Sequence, residues 1–154
     1  MGSVLLLVLL CLTAAGAEDE KAAATMLTRR RPGFLYTRTS GRCSPQHWTS
    51  GREAWPNIIP QESSVAKVFG SRVLERYEPG LTMWEATQRN DDICGSAFSK
   101  LVKQSSVALL NAYTRPGFPY GAWEVKSLLL EALVSEGAAE SQAKSFEQAN
   151  QACS

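Results

Sequence analysis

Three groups of residues in this 154-residue chain have types and spacings from which chemistry can be built. The first is the cysteines. Cys11 lies in an apolar leader, so the rest of the chain keeps Cys43, Cys94 and Cys153. An odd number in an oxidising compartment implies one disulfide and one thiol left over. A bridge from Cys43 to Cys153 would tie the two ends of a domain together, and chain ends often lie close in compact domains. Closing a loop of about 110 residues is worth about 4.7 kcal/mol in the chain-entropy model. Cys94 would then remain, either as a buried thiol or as the link in an intermolecular disulfide that makes a dimer. Asp91 and Asp92 precede it and disfavour the thiolate that a nucleophile needs.

The second group is the single histidine, His47, with Glu53 nearby in sequence. Together they would be the base and orienting acid of a small hydrolase or transferase. Alternatively, His47 with distant carboxylates would hold a metal. No HExxH, CxxC, GxSxG, glycine-rich phosphate loop or DxDxDG calcium loop supports either reading. Asp91-Asp92 reads as a turn rather than an acid–base couple. The expectation is therefore no enzyme, no metal and no cofactor. The third group is aromatic and basic: Trp48, Arg52, Trp55, Phe118, Tyr120 and Trp123. Aromatic residues with arginine are the usual anchors of binding surfaces. The competing reading is that Trp48 and Trp55 simply cover the helices.

The elements that position these groups begin after a targeting segment. Val4 to Thr13 form an uncharged apolar run, too short for the roughly 20 residues of a membrane-spanning helix. With Ala15-Gly16-Ala17 following, residues 1–17 read as a signal peptide cleaved before Glu18. Leu6 stands where myristoylation needs Ser or Thr. No N-glycosylation sequon, transmembrane anchor or lipid-anchor tail is expected. Residues 18–42 form a basic arm with five arginines between Thr28 and Arg42 and no acid there. Arg29-Arg30-Arg31 is a candidate processing site, against the plainer reading of a solvated linker.

Residues 43–154 are read as the domain. From Cys43 to Pro60 the Pro, Gly and Ser content predicts an irregular, tryptophan-containing segment. Helical spacing follows. Val65, Val68 and Phe69 predict a short helix weakened by Gly70, and Thr82 with Glu85 is a capping box. Phe98, Leu101, Val102, Ser105, Leu109, Ala112 and Tyr113 predict an amphipathic helix from Ser96, stopped by Arg115-Pro116-Gly117. A further helix from Ala122 is predicted to bury Trp123, Val125, Leu128, Leu129, Ala132 and Leu133 until Gly137 breaks it. The last helix places Ala139, Ala143, Phe146 and Ala149 or Asn150 on one face. The predicted fold is all-α, a small bundle of four to five helices with no sheet.

Composition narrows the function. From Cys43 onward ten basic residues face twelve acidic ones, so the arm is basic and the domain faintly acidic. This is no supercharged nucleic-acid binder. The cysteines are too few for the eight-cysteine framework of plant lipid-transfer proteins. Arg31-Pro32-Gly33-Phe34-Leu35-Tyr36 and Arg115-Pro116-Gly117-Phe118-Pro119-Tyr120 agree at five of six positions, which reads as reused turn chemistry.

Cys43-Ser44-Pro45-Gln46-His47-Trp48, with Ser50-Gly51-Arg52-Glu53-Ala54-Trp55-Pro56, resembles the opening of a family of small secreted plant proteins. Val68-Phe69-Gly70, Ala108-Leu109-Leu110-Asn111-Ala112, Gly117-Phe118-Pro119-Tyr120 and the closing Cys153 extend the likeness. More distantly the text is similar to bacterial extracellular domains that open Cys-Thr-Pro-Gly-Phe-Trp. The resemblance implies secretion, mostly helical structure and a first-to-last disulfide. The function expected is a non-catalytic apoplastic or wall-associated protein that binds an extracellular protein or a cell-wall polysaccharide. The alternative is a precursor processed at Arg29–Arg31.

Overall fold

Among the described residues, five of the six α-helices begin at a Ser or Thr whose hydroxyl accepts from an open N–H group of the first turn. The computed structural model describes residues 41–89 and 95–153. The leader, the Arg29–Arg31 cluster and Cys94 lie outside them. Ser44 accepts from the His47 N–H and Pro45 occupies the first helical position, which opens the single-turn α1, Pro45–Thr49. The predicted irregular segment therefore contains a helix. Ser64 starts α2, Val65–Phe69. Gly70 ends it at φ 106°, a conformation that side chains resist, and a 3₁₀ turn follows over Ser71–Glu75. Thr82 opens α3, Met83–Thr87, with both halves of the predicted capping box formed: its hydroxyl accepts from Glu85 N and its N–H donates to Glu85 Oε2. The Thr82 N–H and the Thr82 hydroxyl, which donates to the same Glu85 oxygen, hold the Glu85 carboxyl below its ordinary range.

Three longer helices follow: α4, Ala97–Thr114; α5, Ala122–Ala132; and α6, Glu136–Ala152. Ser96 caps α4, as predicted, and the chain turns after Arg115 through Gly117 at φ 82°. Gly137 does not end α5. The break falls at Leu133–Ser135, where Ser135 caps α6 by accepting from Ala138 N at 3.1 Å, and Gly137 lies within the new first turn. A local cap outweighs the weak helical propensity of one glycine.

Helix α4 is central and packs against α1, α3, α5 and α6. Every residue from Gln104 to Asn111 is buried, so it is not the one-sided helix its spacing predicted. A helix apolar around most of its circumference belongs inside. Two of its hydroxyls bond back along the helix: buried Ser105 Oγ donates to Leu101 O and half-buried Thr114 Oγ1 to Leu110 O. Helix α6 buries Ala139, Ala143, Phe146, Ala149 and Asn150, the predicted face. Helix α5 buries Val125, Leu129 and Ala132, with Leu128 half-buried, and Leu133 just past its end is buried as well. Trp123 departs from that prediction. It lies two residues before Val125, a rotation of about 200° around the helix, and faces solvent at 81% exposure.

The described residues contain no strand, only one bridge between Ser64 and Thr82, where Val65 N donates to Leu81 O and Met83 N to Ser63 O, each at 2.8 Å. Arg76 joins the 3₁₀ turn to two helices: its Nε donates to Leu133 O and its guanidinium covers the Phe98 ring at 4.5 Å. Tyr77 donates to Phe98 O at 2.8 Å, and burial pushes its phenol pKa up.

Candidate functional site

Cys43 and Cys153 form the disulfide, with Cα atoms 5.6 Å apart across 110 residues of sequence. The polar groups of highest chemical interest gather at this end of the domain. Helix α1 sends consecutive side chains in different directions. Trp48 is fully buried, while His47 stays half-buried and meets the Trp48 ring edge-on at 5.8 Å. Trp48 Nε1 donates to Asn111 Oδ1 at 2.8 Å. The other end of that amide donates twice, to Cys43 O at 2.8 Å and Asn150 Oδ1 at 2.9 Å. Asn150 in turn donates to the backbone and side-chain oxygens of Gln104 at 3.1 and 3.0 Å. The three amides Gln104, Asn111 and Asn150 are buried and joined in one network.

A second cluster lies over the first. Arg115, just past α4, donates to Glu53 Oε1 at 2.8 Å and to Oε2 at 2.7 Å. Its guanidinium also covers Trp48 at 4.9 Å and donates to Arg42 O at 2.8 Å. His47 Nε2 contacts Glu53 Oε2 at 2.9 Å, and Arg42 stands 3.6 Å from the same oxygen. The Arg115 hydrogen bonds, more than burial opposes them, hold the Glu53 carboxyl at about 2, well below its usual 4.5. An ionised carboxylate only accepts, so the contact requires the proton on His47 Nε2. Both Glu53 oxygens are therefore occupied. The predicted pairing of His47 with Glu53 exists, and Arg115 makes it part of an ion-pair clasp fixing Arg42, His47 and the loop at Glu53 to the end of α4.

The remaining candidates separate. Trp55 is core, packing on Trp84 at 5.9 Å and donating Nε1–H to Trp48 O at 3.2 Å. Trp48 and Trp55 thus belong to the interior and do not form a surface, because their indole N–H groups find partners only inward. Phe118 and Tyr120 are half-buried with rings 6.2 Å apart, and Tyr120 meets the core residue Phe146 edge-on at 5.2 Å. Arg52 and Trp123 are exposed. Among the described residues, no group of three or more His, Cys, Asp or Glu is placed to hold a metal ion, and no helix is long and apolar enough to cross a membrane. Sequence reasoning missed Gln104, Asn111, Asn150 and Arg115 as site residues. The available signal was Asn111 inside the apolar run Val107–Ala112, where a polar side chain demands buried partners.

A comparison with known protein families adds the context. The family model described as "Protodermal factor 1 C-terminal domain" matches residues 43–153, so its limits are the two cysteines of the disulfide. No curated protein and no solved structure matches the chain. The chain belongs to this plant family, through a helical domain that opens at Cys43 and closes at Cys153.

Proposed function

We propose that this chain is a secreted, non-catalytic protein of the plant apoplast or cell wall, whose domain makes contact with a wall polysaccharide or an extracellular protein. The observation carrying this reading is Trp123, an indole 81% exposed at the start of α5. A large aromatic left in water at that level is the kind of residue that anchors contacts. Phe118 and Tyr120 lie just before it in the chain, half-exposed, with Tyr120 resting edge-on against Phe146 and Phe118 against Tyr120. The groups that would otherwise suggest catalysis, His47 and Glu53, are engaged in holding the domain's ends. The apolar leader and the Ala15-Gly16-Ala17 pattern support secretion.

The test is capture of wall polysaccharides and extracellular proteins by the secreted chain, compared with a Trp123→Ala variant. Capture that depends on Trp123 is expected, while far-UV circular dichroism stays unchanged because the side chain is exposed. Equal capture by both forms sinks the assignment of Trp123. A second reading, release of a part at Arg29–Arg31, rests on that triplet standing upstream of the matched domain. A secreted N-terminus at Glu18 with no shorter species removes it.

A further inference from the structure

The buried amide network has a direction, and it ends at a cleft. The Trp48 indole N–H can only donate, so Asn111 turns its oxygen to the indole and its NH2 to the Cys43 carbonyl and Asn150 Oδ1. Asn150 then points its own NH2 at Gln104, where the backbone carbonyl can only accept and Oε1 accepts as well. The three amides are thus aligned head to tail, and Gln104 Nε2 is the end left over. It donates to no group among the described residues, although Gln104 is only 4% exposed. That nitrogen is not sealed in the core and faces the cleft that Gln104 lines. A largely buried N–H pair in this position calls for an acceptor.

The cleft has a volume of about 290 Å³, lies between α4 and α6, and is lined by Lys100, Gln104, Glu140, Ala143, Lys144 and Glu147. Lys100 stands one turn before Gln104 on α4, and the other four follow steps of three, one and three along α6. These charges are not paired with one another. Among the described residues Lys100, Glu140 and Lys144 form no ion pair, and Glu147 accepts from the neutral Gln151 amide at 3.2 Å. The two walls differ in kind. Helix α4 presents donors only, the Lys100 ammonium and the Gln104 amide, whereas α6 presents two carboxylates with Lys144 between them. A bare anion would meet Glu140 and Glu147. A bare cation would meet two lysines and leave the Gln104 N–H groups unanswered. A molecule carrying both charges matches both walls.

We propose that the α4–α6 cleft binds a small zwitterion of the amino-acid type, with its carboxylate toward Gln104 Nε2 and Lys100 and its ammonium toward Glu140 and Glu147. Each of these contacts is charge-assisted, the stronger class of hydrogen bond. A carboxylate on Gln104 Nε2 also extends the aligned amides by one more acceptor, and such chains polarise along their length. The occupied cleft is therefore coupled through Asn150 and Asn111 to Trp48 and the Cys43 carbonyl. This site shares no residue with the reading of Trp123 as a contact residue and goes beyond it.

Titration of the nitrogen-15-labelled secreted chain with L-alanine, up to about 10 mM, tests this, because the Gln104 side-chain NH2 gives its own NMR signals. Saturable movement of those signals is expected. N-acetylalanine lacks the ammonium and alaninamide lacks the carboxylate, so each is expected to bind at least about tenfold more weakly. Lys100→Met and Glu140→Gln, both on the rim, should each weaken L-alanine about threefold. Gln104→Glu keeps an oxygen to accept from Asn150 but turns a second carboxylate oxygen outward, so L-alanine binding, followed at the backbone amides of α4 and α6, should be lost. If that variant does not fold, the two rim variants decide. Gln104 signals that do not move with L-alanine overturn the inference. So does N-acetylalanine or alaninamide binding as tightly as L-alanine, or an affinity unchanged in both rim variants.

Discussion

Replacing Asn111 by alanine removes the amide at which α1, the disulfide end and α6 meet. Three buried groups then lose a partner: the Trp48 indole N–H, the Cys43 carbonyl and the Asn150 side-chain carbonyl. Leaving a buried donor or acceptor unmade costs about 1–3 kcal/mol. Asn150 keeps its two bonds to Gln104 and partly relaxes. Three groups at roughly 1–2 kcal/mol each give a loss of about 3–6 kcal/mol, a large part of the 5–15 kcal/mol typical of a whole domain. That range brackets the disulfide's contribution, about 4.7 kcal/mol for a loop of this size. Urea unfolding of the oxidised protein reads the difference, and the melting temperature should fall by at least about 10 °C. A cycle with Trp48→Phe isolates the bond between them: the double variant should cost less than the two singles added together. An Asn111→Ala cost below about 1 kcal/mol, or strict additivity with Trp48→Phe, would refute the reasoning.

Other outcomes follow from the same geometry. Glu53 has a folded pKa of about 2 against 4.5, so its stabilisation is present above pH 4.5 and is lost as pH falls through about 2. Urea midpoints measured from pH 6 to 2 should therefore drop further for the native protein than for Glu53→Gln. Thr82→Ala removes the cap on α3 and should cost about 1 kcal/mol, read as a small shift in thermal midpoint. Acrylamide should quench one indole strongly, and Trp123→Ala should remove that component, since Trp48 and Trp55 are buried. Trypsin should spare the Arg42–Cys43 bond in the oxidised protein, because Arg115 holds the Arg42 carbonyl and Asn111 the Cys43 carbonyl.

The fold was legible where its causes are local. The Thr82–Glu85 box, the Ser96 cap and the stop at Arg115-Pro116-Gly117 all act within three or four residues, so their text suffices. Gly137 was misjudged because Ser135, two residues earlier, had already begun a helix. Trp123 enters the sequence reading both on the buried face of this helix and among the surface aromatics, and its angle around α5, opposed to Val125 and Leu129, decides for the surface. Much of the site depends on long-range pairs. Asn111 meets Cys43 across 68 positions, and Arg115 meets Glu53 across 62. Periodicity carries no information about such pairs. A polar residue in an apolar helix signals that a partner exists, but not which one.

The closure of the domain at Cys43 and Cys153 has a mechanical side. Chain entering at Cys43 and chain leaving at Cys153 meet within 5.6 Å. A pull applied between these two points is carried by the sulfur–sulfur bond and never reaches the helices. Tension along the polypeptide would leave the core undeformed. Reducing that one bond would transfer the load to the Asn111 and Arg115 contacts, which are non-covalent and yield first.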